Sequence, residues 1–185
     1  MGTRKMTAAA GFSLLEVLVA MLLLAVGVIG ASAMQLHAVR TRHESAMLSA
    51  ALQMAADMAD RIRANAVSAS LYLELDYESA REGAPPLPAR QCRAAACTSG
   101  EMARFDTYQF RRLVHDSLPG GRARICRDTA TWAAGRPRWE CSGAAGAPLV
   151  IKLGWHTRNP DGTPVLEAAG EQPPAAVLVL AGVTL

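Results

Sequence analysis

The chain carries no proline before Pro85 and no Asp, Glu, Lys or Arg in residues 17–34. A long N-terminal helix can therefore run without a proline break, and any bend in it must come from Gly27 or Gly30. Catalytic signatures are lacking as well. There is no Gly-x-Ser-x-Gly, no phosphate-binding Gly-Lys-Ser/Thr loop and no His-Glu-x-x-His, which excludes the enzyme classes built on them. His37, His43, His115 and His156 are scattered and read as surface or interface residues, and Asp57 with Asp60, or Asp106 with Asp116, as solvated helix faces. No catalytic residue and no cofactor is assigned. A strong charge excess is missing too: 19 Lys and Arg stand against 16 Asp and Glu, a net +3. Without Arg4 and Lys5 the balance is 17 to 16. Non-specific nucleic-acid binding relies on a concentrated cationic surface, so the composition argues against it.

What is present is concentrated at the front. A short stretch with Arg4 and Lys5 meets the string Gly11-Phe12-Ser13-Leu14-Leu15-Glu16, followed by eighteen uncharged residues, 17–34. A carboxylate at the edge of hydrocarbon is unfavourable, by up to ~2.5–3.5 kcal/mol at a helix centre, and calls for a cationic partner. Cleavage between Gly11 and Phe12 creates one. The new α-amine, with a reference pKa of roughly 7.7–8.0, is mostly cationic at neutral pH. Between staggered neighbouring helices, the carboxylate of one chain meets the amine of the next, and both charges are matched. Ser13-x-x-Glu16 also reads as a capping box that starts any helix. Ala31-Ser32-Ala33 offers a rival cleavage site of the secretory type.

The string Gly11-Phe12-Ser13-Leu14-Leu15-Glu16-Val17-Leu18-Val19-Ala20 resembles the class III leader and helix start of type IV prepilins and type II secretion pseudopilins. The resemblance implies that Gly11 precedes the cut, that Phe12 becomes an N-methylated terminus, and that Glu16 is the glutamate that guides assembly. Methylation preserves the charge of the amine, so the pairing argument is unaffected.

Helical periodicity continues beyond the apolar run. Met47, Ala51, Met54, Met58 and Ile62 recur at spacings of four, three, four and four, which places them on one face. One helix is expected over residues 12–67, about 80 Å long, its first half apolar enough for a bilayer. Near its end, Asp60-Arg61-Ile62-Arg63-Ala64-Asn65 resembles the stem end of PilV-type minor pilins. Physically, Arg61 and Arg63 suit a helix C-terminus and Asn65 a left-handed cap. Residues 68–90, with Pro85-Pro86-Leu87-Pro88, read as a long surface connection.

Farther on, Thr98-x-x-Glu101 caps a second helix, residues 101–118, ended by Pro119-Gly120-Gly121. The order of a cysteine pair, this helix and Leu118-Pro119-Gly120-Gly121 again resembles PilV-type proteins, with Tyr108 or Phe110 where that family has tryptophan. Residues 122–127, 138–141, 149–155 and 176–183 are short β-rich runs. Asn159-Pro160-Asp161-Gly162 marks a turn with too few oxygen ligands after it for calcium. Four cysteines, Cys92, Cys97, Cys126 and Cys141, permit three disulfide connectivities, and Cys92–Cys97 with Cys126–Cys141 is preferred because each pair brackets a short segment. The loose Cys-x4-Cys spacing and the lack of a nearby histidine disfavour zinc, and no metal site is assigned.

The reading is α+β and pilin-like: a leader (1–11), a transmembrane helix half (12–36), an amphipathic stem (37–67) and a globular head (68–185) with a loop, a short helix and antiparallel strands. The resemblance implies a minor pilin that joins an inner-membrane priming complex, starts fibre growth and sits at the fibre tip, supporting adhesion and twitching motility. Implied partners are the prepilin peptidase, other minor pilins and the major pilin, the assembly platform, a tip adhesin and the lipid bilayer. The implied location is the inner membrane, with the head in the periplasm, and then the extracellular fibre. Two alternatives share the leader: a type II secretion pseudopilin, and a DNA-uptake minor pilin using Arg111, Arg112, Arg122, Arg124 and Arg127.

Overall fold

The computed structural model describes residues 13–93, 95–157 and 172–180. Helix α1 is Leu14–Ala64, 51 residues. The chain divides into two compact units, Met1–Ser45 and Ala46–Leu185. In the first, the helix displays its apolar side chains on every side, with Leu14, Leu18, Leu22, Leu24 and Ile29 all exposed. By length and composition this helix can cross a membrane.

In the second unit α1 becomes one-sided. Ala51, Met54, Ala55, Met58, Ala59 and Ile62 are buried, while Met47 is partly buried against the same core. Their spacing of three and four residues puts them on one stripe, and truncating Met58 or Ile62 to alanine removes contacts worth about 2–5 kcal/mol. α1 ends at Ala64, followed by a 3-10 turn, Ala66–Ser68. Asn65 departs from the expected left-handed cap: its φ is −121° and its ψ 45°.

Residues 68–90 correct the reading as a surface connection. They hold helix α2 (Ala69–Tyr72), strand β1 (Asp76–Glu78) and helix α3 (Ser79–Glu82), and Tyr72, Leu75 and Tyr77 are almost fully buried. Three large apolar bodies among carboxylates pull this segment onto the core, and only the proline cluster after it stays irregular. Helix α4 is Ser99–Ser117, with Thr98 and Glu101 forming a reciprocal capping box, so it starts two residues before the expected 101 and ends one before 118.

Strands β2 (Arg122–Arg127), β3 (Trp132–Ala133), β4 (Arg136–Pro137), β5 (Leu149–Gly154) and β6 (Ala176–Leu180) complete the unit. The main sheet has the order β1-β2-β5-β6, antiparallel throughout, and β3 pairs with β4 as a separate hairpin. Residues 138–141 are not a strand. Their backbone is turned inward instead, with the carbonyls of Arg138 and Glu140 accepting from Lys152 Nζ at 2.8 Å each. The turn Asn159-Pro160-Asp161-Gly162 and residues 181–183 lie outside the described residues.

Leu118-Pro119-Gly120-Gly121 shapes the passage from α4 to β2. Gly120 has φ +59°, and a Cβ on it would collide with the His156 ring. A Cβ on Gly121 would meet the side chain and carbonyl of Val114 at 2.8 Å. Only glycine permits both the left-handed turn and this close return of the chain over α4.

Candidate functional site

Gly11 and Phe12 lie outside the described residues; Glu16 stands in the first turn of α1. The Ser13 carbonyl accepts from the N–H groups of Glu16 (3.0 Å) and Val17 (3.2 Å), and Ser13 Oγ accepts from Leu15 N–H at 3.3 Å. Ser13 therefore starts the helix through its own atoms. Glu16 is exposed beside Val17, Ala20, Met21 and Leu24. Among the described residues no cation lies within ion-pair distance of it. An uncompensated carboxylate beside apolar side chains is unfavourable wherever those side chains are buried, and a cation within reach would offset that cost.

The Asp60-Arg61-Ile62-Arg63-x-Asn65 string acts inside the second unit. Arg61 Nε donates to Asp57 Oδ2 at 2.9 Å, and Arg61 Nη1 donates to Asp106 Oδ1 and Gln109 Oε1 at 2.8 Å each. Tyr72 Oη donates to Asp106 Oδ2 at 2.8 Å, and Asn65 Nδ2 donates to Tyr72 Oη (3.1 Å) and the Ser99 carbonyl (2.8 Å). Partial burial pulls the Arg61 pKa down, but the bonds to Asp106 and Asp57 outweigh it and hold the guanidinium above its ordinary value. Burial pushes the Tyr72 hydroxyl far up; the Asn65 bond opposes this and Asp106 adds to it. Asp106 is thus a buried acceptor of two donors rather than part of a solvated face. Asp57, Asp60 and Asp116 remain exposed partners, Asp60 paired with Arg63 at 2.8 Å.

A second polar cluster was not visible from sequence. Lys152 and Asp128 have fully buried side chains 2.7 Å apart. All three ammonium protons are used, on Asp128 and the carbonyls of Arg138 and Glu140. Asp128 Oδ1 accepts from the N–H groups of Ala130 (3.0 Å) and Ser142 (3.2 Å). Burial pushes the Asp128 carboxyl up, but the Lys152 bond and the two backbone N–H bonds prevail and hold it below the usual range. The Cys126–Cys141 disulfide closes the same excursion, and Cys92–Cys97 closes the segment before α4; these are the pairs that the short spacings favour.

His115 Nδ1 lies 2.7 Å from Ser79 Oγ and 3.2 Å from Tyr77 Oη, tying α4 to the β1–α3 corner. Tyr77 Oη also donates to the Gly83 carbonyl at 2.6 Å. His115 is therefore an internal anchor rather than a surface residue. The arginines of the suggested basic stripe are mostly engaged within the head. Arg122 stacks over Trp139 at 4.4 Å, Arg124 donates to the Trp139 carbonyl at 3.3 Å, Arg127 donates to the Ala147 carbonyl at 2.7 Å, and Arg112 pairs with Asp116 at 3.4 Å. Among the described residues no group of three or more His, Cys, Asp or Glu is placed to hold a metal.

Two family models match the sequence. Residues 6–32 match the prokaryotic N-terminal methylation motif, and residues 33–108 match the model described as type IV pilin Tt1218. Searches of curated proteins and of solved structures each found no match. The second family match ends at Tyr108, inside α4, so it covers the latter part of α1, Arg61 with its partners Asp57 and Asp106, and the Cys92–Cys97 segment, but not Gln109 or the main strands β2, β5 and β6.

Proposed function

We propose that this chain, for which the methylation motif, the pilin match and the α+β fold support a type IV pilin subunit, works as a PilV-type minor pilin. In this reading a peptidase removes residues 1–11 after Gly11, and Phe12 becomes the methylated amino terminus. Residues 12–36 hold the subunit in the inner membrane, residues 37–67 form the stem and residues 68–185 are the periplasmic head. The subunit then joins other minor pilins on the assembly platform, starts the fibre and stays at its tip beside the major pilin, where adhesion and twitching motility depend on it.

The observation that carries the reading is Glu16, an exposed carboxylate without a cation among the described residues, in the first turn of an apolar helix. Its position matches the need for a neighbour's amine. The Asp60-Arg61-Ile62-Arg63-x-Asn65 string supports the PilV-type assignment over a secretion pseudopilin. Replacing Glu16 with alanine tests the role: leader cleavage should proceed and piliation should fall, whereas normal fibre numbers from this variant would refute the assigned contact.

A further inference from the structure

Immediately after the apolar run, the helix changes character over a few residues. Residues 17–36 are twenty positions without Asp, Glu, Lys or Arg, about 30 Å of α-helix and so about one hydrocarbon thickness. The next seven residues bring His37, Arg40, Arg42 and His43. Membrane helices are commonly fixed at the interface by Trp and Tyr, or by long cationic side chains that reach the headgroups. Residues 13–45 contain neither Trp nor Tyr, so here the cations are left to do it.

The four basic groups do not form one face. At roughly 100° per residue they stand near 0° (His37), 300° (Arg40), 140° (Arg42) and 240° (His43) around the axis. A partner protein docking on one side would meet only some of them, but a surrounding layer of phosphates meets all four. His37, Arg42 and His43 are exposed and Arg40 is partly so. Among the described residues neither arginine has an ion pair; Glu44, the one carboxylate nearby, lies one helical turn beyond Arg40 without coming within pairing distance.

We propose that Arg40 and Arg42 form a cationic collar, with His37 and His43 as hydrogen-bonding groups beside them, that binds lipid headgroup phosphates in the leaflet next to the head and so fixes the depth of the helix. This rests on the membrane reading given above and adds the ligand of that segment, the phosphate of anionic lipid. Removal of residues 1–11 takes Arg4 and Lys5 away, leaving Arg40 and Arg42 as the arginines that hold the mature helix at an interface. Sliding inward drags guanidinium groups into hydrocarbon, whereas leaving toward the head does not. The collar therefore acts as a one-way stop.

The test uses the full chain reconstituted in vesicles of phosphatidylcholine alone and of phosphatidylcholine mixed equally with phosphatidylglycerol. An environment-sensitive dye is placed on Ser45→Cys, the other cysteines being paired. The expected result is a shift of dye emission to shorter wavelength in the anionic vesicles that high salt reverses. The shift is lost in Arg40→Gln/Arg42→Gln and kept in Arg40→Lys/Arg42→Lys. Equal emission in both lipids, or an undiminished shift in the glutamine variant, overturns the collar alone. A chain that fails to float with either vesicle overturns the membrane reading and the collar with it.

Discussion

Arg61 Nη1 lies 2.8 Å from Asp106 Oδ1, joining the last turns of α1 to the middle of α4 across 45 residues of sequence. Tyr72 holds the other oxygen of the same carboxylate. The stem end, α2 and α4 therefore share one acid. Asp106→Ala strands the Tyr72 hydroxyl and removes a partner from a guanidinium about one-third exposed. We expect a loss of about 2 kcal/mol, read as a lower urea midpoint at unchanged slope. An unchanged midpoint would mean that the network is incidental to stability.

The Lys152–Asp128 pair gives a pH dependence of defined sign. The folded carboxyl lies below its unfolded value of ~3.9. The stabilisation is present above that value and is lost as pH falls through the depressed folded value. Chemical denaturation should show a constant contribution above about pH 5 and a steep decline below about pH 4. In Asp128→Leu/Lys152→Met that component should vanish.

Breaking the pair from one side is a harsher change. Lys152→Met leaves the buried Asp128 with only the longer Arg138 contact at 3.8 Å and should cost about 3 kcal/mol, while the double variant, with neither buried charge left, should recover most of it. Thermal melts of both proteins check the ordering, and equal destabilisation would contradict it.

Much of the architecture could be read from residue order because it is local. The apolar run, the stripe through Ala51, Met54, Met58 and Ile62, and the Thr98–Glu101 capping box each lie within a few turns of one helix. What escaped is what the chain assembles from a distance. Asp106 resembles a solvated carboxylate until Tyr72 and Arg61 arrive from 34 and 45 residues away. Strand β1 is three residues long and carries two carboxylates, too little to stand out as a strand. Lys152 left a faint trace: it is one of two lysines in the chain and sits in the apolar run Leu149-Val150-Ile151-Lys152-Leu153. A charge there signals a buried partner, but Asp128 could not be chosen without the fold.

The two disulfides should contribute unequally. They close segments with sequence separations of 15 and 5, and loop-closure entropy assigns roughly 3 and 2 kcal/mol to them. Replacing Cys126 and Cys141 by serine should lower the melting temperature more than replacing Cys92 and Cys97, a difference enlarged by loosening of the Lys152 site. Calorimetry of the two variants decides it.

Gly120→Ala tests the passage out of α4. A Cβ there is strained at φ +59° and meets the His156 ring, so the variant should lose more than about 1 kcal/mol. A neutral outcome in a denaturant titration would show that the turn relaxes freely.

The account turns on what happens at residue 12. Intact-mass analysis and amino-terminal sequencing of the protein taken from its native envelope are the most direct check. The prediction is a chain that begins with methylated Phe12, and a retained Met1 or a start near Gln35 would contradict it.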